Sequence, residues 1–201
     1  MFNYPLKSSE VFQFLGTNSI SEPDVLRALN SLAEELVVFR FEDFYCVQPT
    51  VSIIHRRKKG NQTAEGFYQL ATNKAAFIAR FPFVRAVLAS GSLAKGYMDE
   101  KSDLDFFIIT APGRLWIART LLVAYKRLFL FNSHKYFCVN YFVDEHHLEI
   151  EEKNLFTATE LATAIPLYGA QYYKRFMSAN PWLKDFFPNY TPRPTEKVPE
   201  S

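Results

Sequence analysis

Two carboxylates one residue apart, Asp103 and Asp105, stand at the head of an apolar run from Phe106 to Thr110. Strand side chains repeat every two residues, so both acids fall on one face. Like charges held that close are costly unless something positive sits between them, and a hard divalent cation with oxygen ligands is the usual solution. Upstream, a second strand-like run, Val84 to Ala89, ends in Ser90-Gly91-Ser92. Gly91 lets the backbone approach a ligand closely. Ser92 offers a hydroxyl and an amide at what reads as a helix start, a position that favours anions. A phosphate cradle facing a paired-carboxylate metal site is the equipment of phosphoryl or nucleotidyl transfer. The same residues also read as a helix N-cap followed by solvated acids, so the strand context on both sides carries the decision.

The rest of the chain must position those two strands. Residues Ser8 to Val47 read as helix, turn, helix, hairpin. Val11, Phe12, Phe14 and Leu15 share a helical face; Ser21 caps a second helix with Pro23 just inside it, and Val25, Leu26, Leu29 and Leu32 keep helical spacing. Leu36 to Arg40 and Phe44 to Gln48 alternate as strands around Glu42-Asp43. This is the outline of a winged helix, with Asp24 to Glu34 in the place of a recognition helix. Its charges disfavour DNA binding: Arg27 is that helix's cation, Glu34-Glu35 end it, and the wing tip is acidic, whereas phosphate contacts dominate DNA affinity. A structural or dimerising role suits it better.

The basic run His55-Arg56-Arg57-Lys58-Lys59 precedes Gly60-Asn61 and reads as a solvated domain junction, with a clamp for a polyanionic substrate as the sharper alternative. Thr63 to Arg80 has helical spacing. Beyond Thr110, Pro112-Gly113 makes a turn, Arg114 to Phe131 a long helix, and Tyr136 to Val143 a third strand. Arg114 and Arg119 are placed either toward the phosphates or on the surface. Leu155 to Gly169 reads as one helix, with Thr157 and Glu160 in capping-box spacing. A last helix spans Ala170 to Met177, and the proline-rich end from Pro188 is an extended or disordered tail. The expected fold is therefore α+β: a small mixed sheet with helices on one side, preceded by the winged-helix-like region and followed by helices. The expected units are a winged-helix-like domain over 1–58, a sheet domain over 59–152 with 59–80 as leading helix, C-terminal helices over 153–187, and a tail over 188–201.

Composition closes off several classes. Nearly half the residues are apolar, enough for a real core, and the formal net charge of +2 gives no global field for nucleic acid. Cys46 and Cys138 make neither a disulfide framework nor a zinc pattern. No signal pattern opens the chain, and cations break the longest apolar region, Leu115 to Phe131, so the expectation is a cytoplasmic protein with no membrane partner.

Gly91-Ser92, an interval of about ten residues, and Asp103-Leu104-Asp105 with apolar flanks resemble the nucleotidyltransferase superfamily typified by DNA polymerase beta. Gly91-Ser92-Leu93-Ala94-Lys95-Gly96 before Ser102-Asp103-Leu104-Asp105 is similar to the small stand-alone bacterial members. The resemblance implies transfer of a nucleoside monophosphate from an NTP to an acceptor hydroxyl, with release of pyrophosphate and two divalent ions, usually Mg2+. It implies Asp103 and Asp105 as catalytic metal ligands, and Gly91, Ser92 and Lys95 on the phosphates. Its third carboxylate belongs on the strand Tyr136 to Val143, where the expected face carries Asn140. A neutral carbonyl in that place removes one negative charge from the metal set. Asp144, Glu145 or Glu149 stand near enough in sequence to substitute. A catalytically reduced nucleotide-binding or regulatory module is thus the alternative function, and a winged-helix DNA-binding regulator a further one. The acceptor (small molecule, protein or RNA), the base preference and any homo-oligomer stay open.

Overall fold

A computed structural model of the chain describes residues 4–129 and 136–201. Two short helices, α1 (Ser8–Gln13) and α2 (Glu22–Glu34), lead into a hairpin of β1 (Phe39–Phe41) and β2 (Phe44–Cys46). The expected cap is present: Ser21 accepts the Asp24 N–H, and the Asp24 carboxylate accepts the Ser21 N–H at 3.0 Å. Helix–helix–hairpin is thus the order of this region.

A single helix, α3 (Val51–Ile78), follows and runs unbroken through the basic run and past Gly60. Gly60 is a packing residue here, not a break, because a Cβ on it would run into the Tyr97 ring, and its carbonyl accepts the Met98 N–H at 3.1 Å. His55, Arg56 and Lys59 are exposed, as a solvated run requires, and Arg57 is the exception. Arg57 is buried and ion-paired with Glu10 at 2.5 Å, its guanidinium 4.2 Å from the centre of the Tyr4 ring. Arg56 donates to the Tyr97 hydroxyl, and Lys58 pairs with Glu42. These three cations tie α3 to its neighbours.

The central sheet comprises β3 (Val84–Ser90), β4 (Asp105–Thr110), β5 (Cys138–Asp144) and β6 (Ile165–Tyr168), in the order β5-β4-β3-β6. Strands β4 and β5 are parallel, joined across α5 (Leu115–Phe129); the other two pairings are antiparallel. Successive side chains alternate faces, and here both faces are apolar. Ala86, Leu88, Phe107 and Ile109 pack with α6 (Leu155–Thr163), α7 (Ala170–Ala179) and α8 (Leu183–Phe186). Val87, Ala89, Phe106 and Ile108 pack with α3 and with Leu122 of α5. Helices therefore cover both sides of the sheet, not one, as continuous apolar strands such as DFFIIT demand.

The C-terminal third departs from expectation in three places. The helix from Leu155 stops at Thr163, because the residue before Pro166 is pushed out of the α region, and Ile165–Tyr168 joins the sheet edge instead. Asn154, not Thr157, is the N-cap, accepting the Thr157 N–H at 2.9 Å. The tail is extended but docked: Tyr190 and Thr195 are buried, and the Gly169 N–H donates to the Pro199 carbonyl at 2.8 Å. Among the described residues no helix is long and apolar enough to cross a membrane. Phe131, the expected end of the helix from Arg114, lies outside the described residues.

Candidate active site

The antiparallel register sets Ser90 opposite Asp105, so the bend after β3 lies against the first residue of β4. Gly91 adopts φ +65, and a Cβ there would collide with the Asp105 carboxylate. The close approach requires glycine, and the left-handed backbone favours it. Gly91 and Ser92 open the one-turn helix α4 (Gly91–Ala94), with Lys95 at its C-cap. Asp103 lies two residues ahead of β4 and near enough to Asp105 to raise its pKa.

Asn140 joins this group through an irregularity in pairing. Phe106 pairs with Val139 and Phe107 with Tyr141, which leaves Asn140 as the extra residue on β5. Such a bulge re-aims a side chain. Asn140 Nδ2 donates to Asp105 Oδ1 at 2.6 Å, while Asn140 Oδ1 accepts from the Cys138 thiol at 2.9 Å. Asn140 therefore meets Asp105 as a hydrogen-bond donor.

Burial raises the Asp105 pKa above the usual carboxylate range, and the Asp103 and Glu160 charges push the same way; bonds from Cys138 and Asn140 oppose the shift. Burial, followed by the Asp105 charge, pushes the Cys138 thiol up to about 11, so it stays protonated and is a poor nucleophile. Among the described residues no group of three His, Cys, Asp or Glu side chains could by itself hold a metal ion. Asp103 and Asp105 offer hard carboxylate oxygens, the donor chemistry that suits Mg2+.

The acids that stand near Asn140 in sequence lie elsewhere. Asp144 pairs with Thr110, at the opposite end of the strands from Asp105. Glu145 pairs with Arg175, and Glu149 with Lys153. Arg114 lies over the Phe83 ring and Arg119 over Trp116 and Phe142, so both belong to the surface alternative and not to the phosphate side.

Two residues of the site were not anticipated. Glu160 reaches the bend from α6, accepting the Gly91 N–H at 3.3 Å and pairing with Lys95. Its capping-box spacing masked this role. Lys126 is buried on α5 four residues after Leu122 and eight after Ala118, and its charge acts on the Cys138 thiol. A lysine on an otherwise apolar helical stripe was the available signal.

Residues 73–161 match the family described as "Nucleotidyltransferase domain", a span that contains Gly91, Ser92, Lys95, Asp103, Asp105, Asn140 and Glu160. No curated protein matches the chain. One similar solved structure is titled "Crystal structure of the toxin-antitoxin with AMP-PNP"; it is 18% identical with a TM-score of 0.32, over 53% of this chain and 84% of that one. At that score the likeness carries no argument. The family match falls on the same strands and bend that bring the acids to Gly91: the chain carries a nucleotidyltransferase domain at residues 73–161, which supports an NTP-using transferase activity.

Proposed function

We propose that this protein transfers a nucleoside monophosphate from an NTP to an acceptor hydroxyl, with Asp103 and Asp105 holding divalent metal, Mg2+ in two-ion form, and Gly91, Ser92 and Lys95 holding the phosphates. The observation that carries the reading is the Asp105 carboxylate packed against the Gly91 bend, inside the span that matches the family. In the reaction the acceptor oxygen bonds to the α-phosphorus as the bond to the pyrophosphate oxygen breaks, and the hydroxyl proton is lost to water. Metal, when bound, polarises the phosphoryl oxygens and lowers the pKa of the attacking hydroxyl. The chain's own part is orientation. The Cys138 S–H fixes the Asn140 amide, whose N–H in turn holds Asp105 in place. The Gly91 and Ser92 amides and the Lys95 ammonium would take up charge on the β- and γ-phosphates. The unit before α3 is an accessory element in this reading, because Arg27, the cation of α2, is already paired with Asp24.

Incubation with each labelled NTP, Mg2+ and cell extract tests the proposal. Label should move to an acceptor with wild-type protein and not with Asp103→Asn or Asp105→Asn. Transfer unchanged in both variants would remove it. A second reading, a nucleotide-binding module without turnover, is favoured by Asn140 presenting an N–H to Asp105 where a third carboxylate would stand. Calorimetry beside a pyrophosphate assay separates the two: nucleotide bound with Mg2+ and no pyrophosphate released over hours selects the module.

A further inference from the structure

The groups assigned above to the polyphosphate already have an anionic partner. Glu160 Oε2 accepts the Gly91 N–H at 3.3 Å, and Oε1 pairs with Lys95 Nζ. The contact is not sealed: the Lys95 side chain is 33% exposed and that of Glu160 22%. Folding of α6 does not call for it, because Asn154 caps the helix and Ala158, Leu161 and Ala162 supply its buried face. A tie holds the two partners in range. Arg193 Nη2, from the docked tail, donates to the Ala94 carbonyl at the end of α4 and to the Thr163 carbonyl at the end of α6, at 3.2 and 3.4 Å.

A carboxylate and a phosphate cannot both take the same N–H and lie against the same ammonium without bringing two anions together. Resting on the nucleotide-binding reading, we infer that Glu160 is a built-in competitor for the polyphosphate, holding Gly91 and Lys95 in the nucleotide-free protein and leaving both when a triphosphate binds. Its departure also removes one of the charges that crowd Asp105. Glu160 therefore sets the threshold for nucleotide capture, and anything that shifts α6 or the Arg193 tie resets it.

Calorimetric titration of wild type and Glu160→Gln, with tripolyphosphate alone and with NTP plus Mg2+, tests this. The variant should bind both ligands about tenfold more tightly, the scale of one charge-assisted contact. Equal or weaker binding by folded Glu160→Gln overturns the inference and leaves the nucleotide reading standing, with Glu160 then a support for Lys95. If neither protein binds either ligand, the nucleotide reading itself has failed and the inference with it. Should Glu160→Gln not fold, the Gly91 amide resonance of wild type decides. It should shift as tripolyphosphate replaces the carboxylate, and a resonance unmoved at saturation overturns the inference.

Discussion

The central sheet carries acids at both ends, and the molecule treats them differently. At the Thr110 end, Asp144 accepts the Gly113 and His146 backbone N–H at 2.5 and 2.8 Å. Glu145 lies between Arg175 at 2.6 Å and Arg85 at 3.8 Å. Those charges are answered by local donors and cations, as in a surface turn. At the Asp105 end, Asp103 and Glu160 add like charge around a carboxylate that burial already penalises, and the hydrogen bonds that oppose them come from neutral groups, the Cys138 thiol and the Asn140 amide. Asp99, a few residues away, shows the contrast within one loop: its bond from the Ser102 hydroxyl holds its pKa below the usual range, while Asp105 is pushed above it. Acids alone do not mark a functional site. Asp105 stands apart in being held against a bend whose close approach requires glycine.

The largest expected effect is at Asp103 and Asp105. Replacing either with Asn should cut metal-dependent NTP turnover by about 10³-fold, several kcal/mol of lost charge stabilisation. The melting temperature should hold or rise, since a crowded charge is removed; a collapse of the melt would instead make these acids structural. Gly91→Ala comes next. It forces a side chain into left-handed backbone and into Asp105, so nucleotide binding should be lost with about 1–2 kcal/mol of stability, read by calorimetry and chemical denaturation. Asn140→Asp sharpens the comparison by adding the missing acid. Without metal it should lower stability by about 1–3 kcal/mol, because a donor to Asp105 becomes a like charge. Added Mg2+ should restore the melt further than it does for wild type. The smallest effect belongs to the far end of the sheet. Glu145→Gln should leave turnover unchanged and cost no more than about 1 kcal/mol, as partly exposed ion pairs do.

The motif and both its strands were legible because period-two alternation and a glycine bend are local signals, and β3 and β4 lie where Val84 to Ala89 and Phe106 to Thr110 put them. The third strand was legible too, and with it Asn140, although nothing local announces the irregular pairing that aims it at Asp105. Long-range packing hid the rest. Gly60 reads as a break until Tyr97 is set against it, and Arg57 reads as solvated until Glu10 and Tyr4 close over it. Ile165 to Tyr168 has too few residues to declare itself a strand before β3 offers an edge. Glu160 is far from Gly91 in sequence, and no spacing rule spans that distance.

Crystals soaked with Mn2+ and a non-hydrolysable NTP would test the central claim most directly, because manganese is visible by its anomalous scattering. The account predicts an anomalous peak bonded to Asp103 and Asp105 carboxylate oxygens, with the triphosphate lying along Gly91 and Ser92. Manganese and nucleotide bound together at another surface, with the two aspartates untouched, would contradict it.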